Sequence, residues 1–397
     1  MFRNRHELVK LFIAFFIIVL VICSFGETSK DFDLKVFEDK LRFFLNTENL
    51  PTESSFESLA ACVYGMFFLY NQRFDPRFRE EGREVLEEIF EVLPDAVYQI
   101  LKGMEKWAYD GYPLSKEHFL EAVENVPQSW WTNLQMMFYN YEIWRRTESA
   151  DYMRETLKYA EKVIDDRSDV AYAYLVEMDV FSGDRYKDPE RLYDIYNAAL
   201  KRVADSPVFW RESLKIFYRL GDHESAINSA LRLAELGRMD DESRFMLAQS
   251  WWHMGEKEKA YNALLETNLK VIKAEWRSQA YNMMGSVEEE RGNLERAIEF
   301  YSQAIRADKN NVTAFKRLGL AYLKTDLERK DTYARYYLGI AQKLNPRDEE
   351  VNTALSELQR RIMVRVLLTI VLPILAVIIG LLILVEKLLR PKERLDV

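Results

Sequence analysis

The stretch from Tyr281 to Pro346 constrains the fold of this chain more than any other. In YNMMGSVEEERGNLERAIEFYSQAIRADKNN, residues Tyr281, Met284, Gly285 and Glu288 fall at i, i+3, i+4 and i+7, the spacing of one helix face. Gly292-Asn293 interrupts that helix, and a second helical run sets Ala297, Tyr301 and Ala304 on one side. The pattern then begins again. Phe315, Leu318, Gly319 and Tyr322 repeat the first helix, and Ala334, Leu338 and Ala341 repeat the second, until Pro346 stops it. Gly285 and Gly319 stand 34 residues apart. A helix pair that returns at a fixed period stacks on its neighbours, because one pair cannot bury its apolar face alone. Small residues at 285 and 297 let two backbones approach closely, and Tyr301 fills the space beside them.

With small and large residues both in register, the stretch resembles the tetratricopeptide repeat (TPR) family. The resemblance implies an all-α, right-handed α-solenoid of TPR-like helix pairs. It is strong over 207–346, where turn glycines at 221, 255 and 292 pace the chain. It is weaker over 53–206, where glycines are missing and turns are long, as at Asn71 to Glu80 and at the insertion Asp184 to Glu190. An amphipathic helix over 31–50, with Val36, Phe37, Leu41 and Phe44 on one side, is expected to cap the first repeat. Residues 348–362 read as a helix that closes the other end.

Two apolar segments flank the repeats. Residues 1–26 carry Arg3, Arg5 and Lys10 before the run Leu11 to Cys23, with Ser24-Phe25-Gly26 after it; they read as a signal peptide or an N-terminal anchor. Val366 to Val385 is 20 residues without a charge, the length of a membrane-spanning helix. Arg360, Arg361 and Arg365 precede it, and a basic tail occupies 386–397. The formal charge of the chain is −9; residues 1–26 contribute +2 and residues 360–397 contribute +4, so the body carries −15. So acidic a body argues against a nucleic-acid surface. With 48% hydrophobic residues and only 10 Pro and 14 Gly, it is too apolar for disorder.

The chemistry-bearing residues are sparse. Cys62 lies among Ala60, Ala61 and Val63 and reads as a buried thiol. His6, His118, His223 and His253 have no second ligand at metal spacing, and no phosphate-loop, dinucleotide or nucleophile-elbow motif occurs. The acidic run Glu288-Glu289-Glu290 reads as a solvated helix face. No catalytic residue, metal, cofactor or small-molecule substrate is therefore expected, and a protein or peptide partner is.

The resemblance implies that a second face of each first helix lines a groove. That face reads Arg211, Lys215 and Tyr218, then Phe245, Gln249 and Trp252, then Asn282, Ser286 and Glu289, then Lys316, Leu320 and Leu323. Long cations, amides and aromatics are interface anchors. They suit an extended or helical segment with acidic and apolar side chains. Basic residues ahead of the first apolar run place it on the cytoplasmic side and the repeats outside, at a bacterial inner membrane. The sequence leaves open a structural subunit of a secretion, transport or envelope-assembly complex, a cytosol-facing tail-anchored adaptor, and an enzyme hidden in residues 53–206.

Overall fold

The computed structural model describes residues 32–327 and 329–389, with side chains as far as Val385. The expected signal or anchor segment 1–26 and most of the basic tail lie outside these residues. Among the described residues the chain is all-helical, with no strand. It divides into two compact units at Met239/Asp240, one helix pair beyond the point where the repeat pattern sharpens.

The first unit holds α1 (Leu34–Thr47), α2 (Phe56–Arg73), α3 (Pro76–Ile89), α4 (Asp95–Asp110), α5 (Lys116–Asn125), α6 (Trp130–Thr147), α7 (Ala150–Asp166), α8 (Ala171–Ser182), α9 (Pro189–Leu200), α10 (Pro207–Leu220) and α11 (His223–Glu235). From α2 onward the helices pack as successive pairs, each against the next. The link expected over Asn71 to Glu80 is in fact a tight turn. Phe74 takes a left-handed conformation, the Asp75 side chain caps the Arg77 N–H, and Pro76 opens α3. Asp-Pro supplies both parts of a helix start, an acceptor for an orphan amide and a preset φ, so two residues suffice. Cys62 is buried, and burial first, then the nearby Glu81 charge, pushes its thiol up to about 12. It is inert at neutral pH, as a structural cysteine should be.

The second unit holds α12 (Asp241–His253), α13 (Lys257–Glu266), α14 (Ala274–Glu290), α15 (Leu294–Ala307), α16 (Val312–Lys324), α17 (Lys330–Leu344) and α18 (Glu349–Val366). Here the repeat register has a direct physical reading. A Cβ on Gly285 would stand 2.6 Å from the Tyr301 ring, and one on Gly319 would stand 2.6 Å from Leu338. In both pairs a glycine in the first helix admits a large side chain of the second. Gly292 turns the chain between them at φ 81°, a conformation only glycine adopts without strain.

The acidic run is solvated only in part: Glu290 is exposed, but Glu288 is not. Glu288 is fully buried, accepting from the Tyr261 hydroxyl and Asn293 Nδ2 and pairing with Arg291. Burial alone would raise its carboxyl, but those hydrogen bonds and the charges of Arg296 and Arg291 outweigh it and hold the group below the usual carboxylate range. Glu289 accepts from the Tyr301 hydroxyl and from Lys324.

At the C-terminal end, Val351 of α18 joins the cluster of Phe315, Leu338 and Ala341, so this helix covers the last pair. It continues through one π-helical turn, Leu367–Val371, into α19 (Leu372–Leu389). The wider turn precedes Pro373, which has no N–H to offer the ladder. The helix running from Glu349 to Val385 reaches a mean hydropathy of 3.2, with none of that apolar window buried. By length and composition it can cross a membrane.

Candidate functional site

In the first unit the inner surface is already partly filled by the chain itself. The helix α1 packs along α2 and also touches α8 and α10. Phe37, Leu41, Phe44 and Leu45 are fully buried beneath it. A Cβ at Gly65 of α2 would stand 2.6 Å from Leu50 and 2.9 Å from Phe44, so a glycine is what admits the segment. Polar contacts then fix its register. Asn46 donates to the Asp169 carbonyl (2.8 Å) and accepts from the Ala171 N–H (3.1 Å), while the Ser206 hydroxyl donates to the Asn46 carbonyl (2.9 Å). Glu48, just past the helix, accepts from the Tyr172 hydroxyl (3.0 Å) and pairs with Arg211 (2.7 Å) and Arg73 (3.2 Å). The segment expected to cap one repeat thus reaches helices of several.

Beyond Glu48 the inner surface is open. Tyr172, whose hydroxyl holds Glu48, also lines a cavity of about 1090 Å³. Its walls carry the rings of Phe68, Trp107, Tyr112, Phe138 and Tyr141, and its rim carries Arg145, Arg146, Lys215 and Arg219. The carboxylates here are matched: Asp179 receives the Tyr141 hydroxyl (2.6 Å) and Arg219, and Glu142 pairs with Arg145 (3.6 Å). Burial first, then the Asp179 charge, pushes the Tyr141 phenol well above its ordinary value, so it stays a hydrogen-bond donor. Aromatic walls with paired charges suit binding, whereas general acid–base work needs a group poised near neutrality.

One carboxylate is so poised, in a separate cleft. Glu177 is raised to about 7, by burial first and by Glu161, against the opposing charge of Arg191. Its cleft, lined also by Lys158 and Tyr174, holds about 520 Å³. A raised carboxyl costs stability as pH climbs. The native state keeps a proton between the ordinary carboxylate pKa and about 7 that the unfolded chain has already released. Glu177→Gln is therefore expected to match the parent near pH 5 and to exceed it at pH 8 by about 1–3 kcal/mol. Urea unfolding at both pH values is the measurement, and a pH-independent difference would refute the assignment.

The second unit has its own cleft, of about 670 Å³, between the first helices α12, α14 and α16. Gln249, Trp252, Asn282, Ser286 and Arg317 line it. Gln249 Nε2 donates to Gln279 Oε1 at 3.4 Å, and the Lys257 ammonium lies 5.6 Å from the Trp252 ring centre. The Asn282 Oδ1 is buried and has no hydrogen-bond donor among the described residues. A buried acceptor left empty is costly, typically about 1–3 kcal/mol.

The expected groove residues divide accordingly. Gln249, Trp252 and Asn282 are brought together. Lys215 lines the cavity of the first unit. Tyr218 is half-buried and does not line that cavity. Arg211 is held by Glu48, the chain's own acid. Phe245 is fully buried, stacked on Trp276 at 5.0 Å, and so belongs to the core. Lys316 pairs with Asp348 (2.9 Å) and Glu350 (2.7 Å) at the start of α18. The aromatic walls of the first-unit cavity were not anticipated; the cluster of Trp, Tyr and Phe in α6 was their signal.

Residues 285–326, which contain both glycine contacts, match the family model of the TPR repeat. That stretch carries the tetratricopeptide repeat. No curated protein matches it. Among solved structures, the TPR protein YrrB, described as having an unusual peptide-binding site, is 16% identical at a TM-score of 0.42, over 49% of this chain and 96% of that one. MamA from Desulfovibrio magneticus RS-1 is 17% identical at 0.37, over 45% and 97%. Yeast Tom70 is 12% identical at 0.37, over 83% and 76%.

Proposed function

We propose that this chain is a membrane-tethered TPR scaffold that holds a segment of a partner protein in the cleft of its second unit. The observation that carries the reading is the cleft itself, about 670 Å³, where Trp252, Gln249, Asn282 and Ser286 come together. Amide and hydroxyl side chains can hydrogen-bond a peptide backbone, and an indole offers apolar area at low entropic cost. The tether is the apolar helix ending at Val385, whose exposed sides carry no polar stripe. Its orientation follows from the charge at the N-terminus, which puts the repeats outside the cytoplasm of a bacterial cell.

A photo-cross-linking side chain placed at Gln279, exposed at this cleft, is expected to give discrete adducts in intact cells. Trp252→Ala should remove them while the helical circular-dichroism signal stays unchanged. The same probe at the exposed Glu299 on α15 is the control. Equal adducts at both positions, or adducts that survive Trp252→Ala, would place partner binding elsewhere. Orientation has a separate test. Protease added to intact spheroplasts should digest the repeats, and digestion only after lysis would reverse the topology.

A further inference from the structure

A cleft of about 630 Å³ lies between α17 and the end of α18 that leads into the apolar helix. Thr332, Arg335, Tyr336 and Lys343 line one side and Arg365 the other. Gly339 lies in its lining, and a Cβ there would meet nothing within 4 Å, so the space is open at that point. The local charge runs against that of the body. Asp331 is the one carboxylate lining the cleft, and Arg365 (3.1 Å) and Arg361 (3.8 Å) already share it. Among the described residues, neither Arg335 nor Lys343 has an acidic partner, and both are exposed. In a chain whose body carries −15, that leaves a local excess of cations directly before Val366, where the uncharged run begins.

The surroundings are those of a membrane boundary. Tyr336 and Tyr333 expose 62% and 43% of their surface, and Met363 and Val364 expose 64% and 48% on the turn before Arg365. Exposed tyrosines beside basic residues and exposed aliphatics match the layering of headgroup over acyl chain. We propose that this cleft binds the phosphate of an anionic phospholipid, with Arg335, Lys343 and Arg365 as its cationic ligands and the Thr332 hydroxyl as a further donor. A guanidinium fork fits a phosphate bidentately, an ammonium adds a point charge, and the acyl chains lie along the apolar helix. This also accounts for arginines on the side of the span that the positive-inside bias disfavours. The proposal rests on the membrane reading of Val366 to Val385 given above.

The test uses the full chain purified in detergent. Native mass spectrometry would count bound lipid as short-chain phosphatidylglycerol, phosphatidylcholine or inorganic phosphate is added, for the parent and for Arg335→Gln with Lys343→Gln. Both substituted positions are exposed, so circular dichroism should be unchanged. The expected result is selective retention of phosphatidylglycerol by the parent and a loss of roughly ten-fold in its apparent affinity in the variant. Equal retention of phosphatidylcholine, or unchanged phosphatidylglycerol binding in the variant, overturns the proposal. Inorganic phosphate competing at the same concentration as the lipid overturns the lipid assignment in favour of a free-anion site. Carbonate extraction of cell membranes separates the two readings. A chain released by carbonate refutes the membrane span itself. A chain that stays in the membrane but shows no lipid preference refutes only the headgroup site.

Discussion

Phe44→Ala is expected to destabilise the first unit by about 3–5 kcal/mol, the cost of removing a fully buried aromatic ring from a core that cannot close around the gap. Phe44 is fully buried. It makes edge contacts with Tyr64 (6.3 Å) and Phe68 (5.8 Å), and it fills the space that Gly65 leaves open. Because α1 touches α2, α8 and α10, the loss should be felt in all three. Hydrogen exchange should therefore speed up at residues 56–73, 171–182 and 207–220 together, which a helix that merely capped the first pair could not cause. Exchange confined to 56–73 would mean that α1 is not held by the later helices in solution. The accompanying release of Arg211 from Glu48 gives a second readout. Glu48→Ala alone should also weaken the unit, because the Glu48 side chain is only 6% exposed and its loss removes the acid that Arg211, Arg73 and the Tyr172 hydroxyl share.

Gly285→Val should cost at least about 3 kcal/mol, at the upper end of what overpacking costs, because the obstructing ring cannot retreat. Any Cβ at 285 would stand 2.6 Å from Tyr301 Cε1. Tyr301 is itself fully buried, and its hydroxyl donates to Glu289 at 2.7 Å. Shrinking that ring, as in Tyr301→Leu, should recover part of the loss, giving a coupling energy of about 1–2 kcal/mol in a double-mutant cycle. Additive losses would show that the two helices do not meet where the register places them. Contacts in a stack of repeats run between neighbours, so the exchange response should be centred on residues 274–324.

These contacts show why the second unit was the readable half. Gly285 with Tyr301 and Gly319 with Leu338 place the same steric solution 34 residues apart, and two helices separated by one tight turn have few other ways to meet. Periodicity, a glycine at each turn and a proline at the end are local properties, so the sequence alone carries them. So does the uncharged run from Val366 to Val385, since its meaning depends on length and composition and not on what packs beside it.

The face that each helix turns outward is a different matter. In α12, Phe245, Met246, Leu247 and Ala248 are all buried, so the apolar pattern is broad and spacing alone could not separate the core position of Phe245 from the cleft position of Trp252. Arg211 and Lys316 sit at groove spacing, yet carboxylates from distant parts of the chain, Glu48 and Asp348, claim them. Glu288 reads as one of three solvated acids and is buried, because Tyr261 of the preceding pair and the nearby Arg291, Asn293 and Arg296 converge on it. Burial and partnership are set by how the helices pack around each residue, and a one-dimensional period holds no record of that packing. The sequence by itself determined that helix pairs stack here and that an apolar helix follows them. Only the tertiary structure decided which polar groups the fold satisfies internally and which side chains, like Gln249 and Trp252, it brings together at a cleft.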